Sequence, residues 1–501
     1  MRKAKLIIEK DIKIGKVDKR IFGSFIEHLG RAVYDGIYQP GHRLSDENGF
    51  RKDVMELVKE LNVPIIRYPG GNFVSGYTWE DSVGPNRKPR LELAWRALEP
   101  NTFGLDEFYK WTQKVNADVM MAVNLGTRGI TDACNILEYA NHEGGSRYSD
   151  LRKEHGRQKP YHIKTWCLGN EMDGDWQIGH KTMQEYGRLA NECGRAMKMI
   201  DPDIELVACG SSGQGMPTFP DWEASVLYEA YDVVDYVSMH TYYDNYKDDT
   251  ADFLAKSDDM DAFIKTVIAT CDYVQAKRRG KKQINISFDE WNVWYHSNMV
   301  QDDRERKPWT VGMQVLEDIY NMEDALLVGL MLITLLKHAD RVKIAALAQL
   351  VNVIAPIFTM ADGGDSFKQT IFYPFLHASK YGRGEVLRPI LISDRHSTSQ
   401  HDHVTDVESV AVLSEDGREL TVFAVNRNIE EDVDFVVDLR DLKNANIKEH
   451  IELANRDLKA YNSVFEQKVV PIYKKTGQVE DGKYHLCLAK ASWNVLRFII
   501  E

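Results

Sequence analysis

Two glutamates offer the chemistry this sequence presents first. Glu171 closes the short apolar run in WCLGNEMDGDW (166–176), directly after Asn170, and Glu290 sits in SFDEWNVWYHS (287–297). Each places a carboxylate at the end of a stretch that reads as a buried strand. A lone glutamate there is commonly a turn residue, a helix cap or an ion-pair partner. Two of them, 290 − 171 = 119 residues apart, raise a sharper reading. Glycoside hydrolysis needs a pair, one carboxylic acid to protonate the leaving oxygen and one carboxylate to attack or to activate water. Asp289, beside Glu290, is read as structural, because neighbours on a regular strand point to opposite faces.

Other residues ending apolar runs are Glu27, His28, Arg67, Asn72, Asn124, His240, Tyr242, Trp294, Gln349 and Asn352. Amides satisfy sugar hydroxyls, and indoles supply flat apolar faces for sugar rings. Competing chemistries lack their signatures. Gly70-Gly71 is not followed by P-loop spacing, no GxGxxG opens a helix after a strand, and neither HExxH nor GxSxG occurs. His28, His240 and the carboxylates show no metal-ligand spacing. No metal and no cofactor is expected.

These residues need a scaffold that brings strand ends together. Eight short apolar runs occur in order: IFGSFIEH (21–28), VPIIRYPGG (63–71), DVMMAVNLG (118–126), HIKTWCLGNE (162–171), IELVACGSS (204–212), VDYVSMHTY (234–242), INISFDEW (284–291) and AALAQLVNV (345–353). Helical patterns follow at 53–62, 105–116, 131–142, 183–200, 222–231, 259–278, 323–340 and 369–381. Buried parallel strands read as continuous apolar runs, and eight strand–helix units make a (β/α)8 TIM barrel with its active site at the C-terminal strand ends. Beyond residue 385 or so the texture changes to alternating runs such as ELTVFAVNR and SWNVLRFII, the mark of an all-β sandwich. AKLIIEK near the start alternates in the same way. The expected division is an N-terminal strand (1–17) joining the sandwich, a catalytic barrel (18–384) and a jelly-roll-like C-terminal β-sandwich (385–501).

Bulk properties narrow the partners. The formal net charge is −13 with both signs interspersed, so nucleic acid, which calls for a basic stripe, is not an expected partner. The six cysteines (134, 167, 193, 209, 271, 487) form no C-x-x-C pair and read as reduced thiols of a cytosolic protein. The opening residues contain no apolar secretory core, and the longest apolar run, Ala325 to Leu336, is too short to span a bilayer. A cytoplasmic enzyme with no membrane partner is expected.

Five blocks, FGSFIEHLGRAVYDGIY, RYPGGNFVSGY, WCLGNEMDGDWQIG, SFDEWNVWYHS and AQLVNVIAP, resemble the signature blocks of the intracellular α-L-arabinofuranosidases of glycoside hydrolase family fifty-one. Gly-Asn-Glu alone also fits other barrel glycosidases. The resemblance implies a retaining mechanism, with Glu171 as acid/base and Glu290 as nucleophile. It implies that Asn170 binds the 2-hydroxyl and that Tyr242 hydrogen-bonds the nucleophile. Glu27, Asn72 and Gln349 would grip the furanose, and Trp95 and Trp294 would shape recognition of the ring and its aglycone. Arg67 and His240 complete the expected substrate-binding set. Thr78 and Ser82 in GYTWEDSVGP, and Phe367 in GGDSFKQT, depart from the family pattern and are expected beside the site.

The implied activity is exo-acting release of arabinofuranosyl residues from arabino-oligosaccharides, arabinan and arabinoxylan fragments, by a homo-oligomer, a homohexamer in this family. Two alternatives stand beside it. A pyranoside-cleaving barrel enzyme such as an endoglucanase would want an open cleft rather than the crowd of Glu27, Asn72 and Gln349. A sugar-binding protein on a dead barrel should have lost a carboxylate.

Overall fold

The eight apolar runs become eight parallel strands that can satisfy their backbones only by closing on one another. In the computed structural model, which describes residues 1–299, 302–361, 363–440, 442 and 444–500, they are Gly23–Phe25, Ile65–Tyr68, Asp118–Ala122, Thr165–Leu168, Glu205–Ala208, Tyr236–Tyr243, Asn285–Val293 and Val342–Leu347, in a closed barrel. Two runs differ from expectation. The first opens with a 3-10 turn, Lys19–Phe22, capped by the Asp18 side chain on Arg20 N, which leaves three residues for the strand. The eighth strand starts at Val342 and ends at Leu347. Its opening residues alternate, with Lys343 half-buried between buried Val342 and Ile344, and so hide in the sequence. Gln349 and Asn352 therefore lie in the loop beyond it, which Asn292 pins by donating to the carbonyls of Ala348 (2.8 Å) and Ile354 (2.6 Å).

The expected helices form, with one large boundary change. The helix after the sixth strand is Thr250–Arg278, beginning at residue 250 rather than 259, where the Asp249 side chain caps Asp252 N. Among the elements that escape the sequence reading are the helix Arg147–Glu154 and a hairpin of Arg90–Glu92 with Ala97–Glu99. The hairpin turn carries Trp95. Glu92 builds that turn by accepting from Ala94 N (2.9 Å) and Trp95 N (2.7 Å).

Two sheets stack beside the barrel. A seven-stranded sheet runs in the order Lys13–Lys16, Glu385–Leu387, Val407–Leu413, Glu419–Asn426, Ser492–Ile499, Asn446–Ala454, Ile472–Lys474. In the four-stranded sheet the chain's first strand, Arg2–Ile7, pairs antiparallel with Ile390–Ser393 and parallel with Val433–Asp438. Leu6, Leu420, Val422, Val437 and Leu496 fill the space between the sheets. Val410, Val412, Phe423, Val425 and Val495 point the other way and join the barrel core. The middle of the seven-stranded sheet is thus buried on both faces, which is why Val407–Leu413 is buried at every position.

The helix Met322–Lys337 lies against that sheet, and every residue from Met322 to Leu336 is buried, as expected of a helix that is apolar all round. Gly329 matters there: a Cβ would come within 2.6 Å of the Trp493 ring. No helix among the described residues is long and apolar enough to cross a membrane. All six cysteines are free thiols.

Candidate active site

The C-terminal strand ends surround a cavity of about 450 Å³, lined by Glu27, Asn72, Trp95, Glu171, Tyr242, Glu290, Trp294 and Gln349 together with Phe25, Trp176, Ser212, Leu316 and Ile354. Two larger grooves, about 950 and 790 Å³, lie between helices on the outside of the barrel. Size does not select the site. The convergence of buried polar groups does.

Glu290 is held from two sides. Its Oε1 accepts from Arg67 Nη1 at 2.6 Å, and its Oε2 accepts from Tyr242 Oη at 2.8 Å. Arg67 also donates Nη2 to Asn170 Oδ1 at 2.7 Å, and its guanidinium lies 4.8 Å from the Phe25 ring centre.

Glu171 follows a sharp turn. Gly169 has φ +92°, and Glu171 itself has φ +43°, a left-handed conformation that non-glycine residues adopt mainly where surrounding structure enforces it. The turn aims the carboxylate between two donors. Trp176 Nε1 donates to Oε2 at 2.7 Å, and His240 Nδ1 lies 2.8 Å from Oε1. Burial raises the Glu171 pKa, opposed by the His240 contact and reinforced by Glu290.

His240 links the two carboxylates. Its Nε2 faces Asp289 Oδ1 at 2.9 Å and Ser238 Oγ at 3.1 Å. Its Nδ1 is also 3.7 Å from Glu290 Oε2. Burial alone would discharge this imidazole, but Glu290, Asp289 and Glu171 more than reverse that and push its pKa up to about 10. Asp289 is held below the ordinary carboxylate range because Arg67, His240 and Ser238 outweigh its burial.

Asp289 and Glu290 thus reach the same ring, contrary to the expectation that strand neighbours face apart. The strand is irregular here. Register shifts between Ser238 and His240, and between Phe288 and Trp291, break the alternation, as bulges beside active sites do.

Glu27 forms the opposite wall. Its Oε1 accepts from Phe73 N and from Trp95 Nε1, both at 2.9 Å. Gln349 accepts from Glu27 N at 3.1 Å and approaches Oε2 with Nε2 at 3.4 Å. The Gly70-Gly71 pair makes room, since a Cβ at Gly71 would lie 2.6 Å from Glu27 Oε2. Burial pushes Glu27 up to about 8. Asn72 opens the turn Asn72–Gly76, and Trp294 stands edge-on to Tyr242 with ring centres 5.5 Å apart.

Of the expected residues, Arg67, Asn170 and His240 do not line the cavity. Arg67 and His240 stand behind the two carboxylates and hold them, and Asn170 is held in turn by Arg67, so a ligand meets Glu171 and Glu290 first. His28 is tied to Glu99 (2.9 Å) and Tyr68 (2.7 Å), away from the cavity. Thr78, Ser82 and Phe367 are not in its wall. Ser82 is buried against Tyr77, and Phe367 packs on Phe358 with centres 5.4 Å apart. The sequence reading gave no role to Trp176, although it shares the Glu171 block. Leu316 and Ile354 come from loops with no periodic signal.

An oxygen of Glu171, an oxygen of Glu290 and a nitrogen of His240 all lie within 4.8 Å of one another. These are donor types a divalent transition ion accepts, but Glu171 and His240 already contact each other directly. The arrangement is suited to moving a proton between an imidazole and a carboxylate.

Comparison with known proteins agrees with this fold. Residues 57–279 match the family model of the α-L-arabinofuranosidase 1 domain, and residues 289–492 match that of the α-L-arabinofuranosidase C-terminal domain. An intracellular exo-α-(1→5)-L-arabinofuranosidase of Acetivibrio thermocellus is 64% identical over 500 residues, 99% of each chain. An exo-α-(1→6)-L-arabinofuranosidase of Bifidobacterium longum is 47% identical over 99% of this chain and 97% of its own. The solved structure of a family 51 α-L-arabinofuranosidase from Bifidobacterium longum superposes with a TM-score of 0.95 at 42% identity, over 99% of this chain and 100% of that one. The chain belongs to the α-L-arabinofuranosidases of glycoside hydrolase family 51.

Proposed function

We propose that this chain is an exo-acting, retaining α-L-arabinofuranosidase that removes terminal non-reducing α-L-arabinofuranosyl residues by double displacement, with Glu171 as acid/base and Glu290 as nucleophile. The observation that carries the reading is the spacing of the two carboxylates, whose oxygens approach within 4.8 Å. Retaining enzymes hold their carboxyl groups about 5–5.5 Å apart for direct attack, whereas inverting enzymes need about 6.5–9.5 Å to admit a water.

In the first step Glu290 attacks the anomeric carbon while Glu171 gives its proton to the departing oxygen, leaving a glycosyl ester on Glu290. In the second step Glu171, now a carboxylate, takes a proton from water, and that water releases the sugar. Burial supports the protonated donor at rest. Arg67 and Tyr242 support the anionic nucleophile. Glu27, Asn72 and Gln349 grip the furanose, and Trp95 and Trp294 shape the ring and aglycone sites. Asn170, held by Arg67 behind the carboxylates, would reach forward to the 2-hydroxyl.

The cavity supports exo action, since about 450 Å³ suits a terminal sugar rather than a polymer threading through. Relatives named for α-(1→5) and α-(1→6) linkages indicate that linkage choice lies with aglycone contacts at the rim. An intracellular site of action, as relatives are named, fits short oligosaccharides of arabinan and arabinoxylan as substrates. A homohexamer belongs to the same reading. So does the division into a barrel (18–384) and a sandwich (385–501 with 1–17), which the pairing of Arg2–Ile7 with Val433–Asp438 supports.

Azide chemistry tests the assignment. Glu171→Ala should lose most activity on poor leaving groups and keep more on an activated nitrophenyl arabinofuranoside, which needs no proton. Azide should restore turnover and yield the α-configured glycosyl azide, because it attacks the glycosyl-enzyme. A Glu171→Ala enzyme equally crippled on all leaving groups, giving only β-configured azide, would exchange the two roles.

A further inference from the structure

Asp289 touches neither the cavity nor any group that would meet the sugar. It is fully buried on the seventh strand, and its oxygens are all used: Oδ1 faces His240 Nε2 at 2.9 Å and accepts from Ser238 Oγ at 2.5 Å, and Oδ2 accepts from Ser287 Oγ at 2.9 Å. Within Ser287–Trp291 the seventh strand carries one residue more than either neighbour, and this bulge turns Asp289 toward the imidazole beside the nucleophile.

The contact between Glu171 Oε1 and His240 Nδ1 is 2.8 Å, so one proton can lie on either side of it. A buried carboxylate on the far ring nitrogen fixes the tautomer and stabilises the imidazolium. We infer that Asp289 is a positioning residue that keeps this shared proton on His240, so that Glu171 becomes a carboxylate base once it has protonated the leaving group. The inference rests on the reading of Glu171 as acid/base.

Charge bookkeeping agrees. At rest the cations Arg67 and His240 face the anions Glu290 and Asp289, and Glu171 is neutral. When Glu290 is esterified it loses its charge as Glu171 gains one. Two cations then still face two anions, Asp289 and Glu171. Without Asp289 the second set is one anion short, the imidazolium loses its fixed partner, and the proton moves to Glu171. The groups facing His240 are Glu171 and Asp173 from the turn after the fourth strand, and Asp289 and Glu290 from the seventh. Arg67 from the second strand acts on Asp289, which in turn adds to burial in raising the thiol pKa of Cys167 on the fourth strand and of Cys209 beyond the fifth.

The test is Asp289→Asn in the full chain with nitrophenyl α-L-arabinofuranoside. Formation of the glycosyl-enzyme needs no acid there, so kcat/KM should stay within about twofold, while kcat and KM fall together by about tenfold or more, part of what a positioned general base supplies. A burst of one nitrophenolate per site should appear. The acid limb of kcat should move to higher pH, and azide, which needs no base, should restore kcat. Ser287→Ala removes only the bond to Oδ2 and should shift the acid limb less, in the same direction. That variant decides the matter if Asp289→Asn does not fold.

An equal fall in kcat and kcat/KM with no azide effect would make Asp289 merely structural and overturn the inference. An unchanged acid limb in the folded variants would do the same. Failure of the underlying reading shows separately, as β-configured azide product from Glu171→Ala.

Discussion

His240 and His377 are 2% and 5% exposed and titrate in opposite directions. His240, at the barrel mouth, is pushed up to about 10 by Glu290, Asp289 and Glu171 despite its burial. His377 lies beneath the sandwich, where Trp493 Nε1 donates to its Nδ1 at 3.1 Å. Burial, helped by Lys380, pushes it down to about 3. The two regions around them differ accordingly. The mouth concentrates Arg67, His240, Asp289 and Glu290, each bonded to another of the set. The seam is built from the apolar stretch Ala325–Leu336 and the Trp493 ring. Burial alone discharges a histidine, and only a surrounding set of carboxylates keeps it charged. One region is arranged for proton and charge movement, and the other for packing.

Mutations should separate them. The largest effect belongs to the mouth: Glu290→Gln should lower kcat/KM on every leaving group by at least about 10⁴-fold, the scale at which an essential nucleophile is missed. Activated and poor aryl glycosides check it. At the seam, Trp493→Ala should reduce unfolding free energy by about 3–5 kcal/mol, the usual cost of deleting a buried indole. The kcat of the folded fraction should not change, and denaturant titration beside active-site counting measures both.

Acid stability sharpens the contrast. In the unfolded chain His377 binds a proton near its ordinary pKa of 6.5, but in the folded chain only near 3. The unfolded state therefore binds more protons between those values, and stability falls as pH drops through that window. His377→Gln should flatten that fall, read as melting temperature against pH. His240, raised instead, contributes stability that is complete below 6.5 and lost as pH rises through about 10.

The smallest effect concerns recognition. Gln349→Ala removes contacts that orient Glu27. It should narrow the ratio of α-L-arabinofuranoside to β-D-xyloside rates by roughly two- to tenfold, the worth of one or two hydrogen bonds. An unchanged ratio would exclude Gln349 from reading the sugar.

The barrel and the positions of Glu171 and Glu290 at its mouth were legible because parallel strands buried on both faces leave uninterrupted apolar runs, and the residue ending each run stands out. What the sequence hid is local irregularity. Alternation assumes a regular pleat, so it assigned Asp289 to the wrong side of a bulged strand. Trp95 sits on a hairpin of three-residue strands, too short for any period to show. The eighth strand opens with Val342-Lys343-Ile344, a charged residue inside a buried strand, and the sixth-strand helix opens with a polar turn at Asp249. Asn446–Ala454 is half exposed along its first half, and its charges mask it as a strand.

The division of labour between Glu171 and Glu290 is tested most directly by trapping the intermediate. A 2-fluorinated α-L-arabinofuranoside with an activated leaving group slows both steps, and breakdown more than formation, so a glycosyl-enzyme should accumulate. Mass spectrometry of the digested protein should find one fluoroarabinosyl unit on the peptide containing Glu290 and none on the peptide containing Glu171. A label on Glu171, or turnover with inverted product and no label on any peptide, would contradict the account.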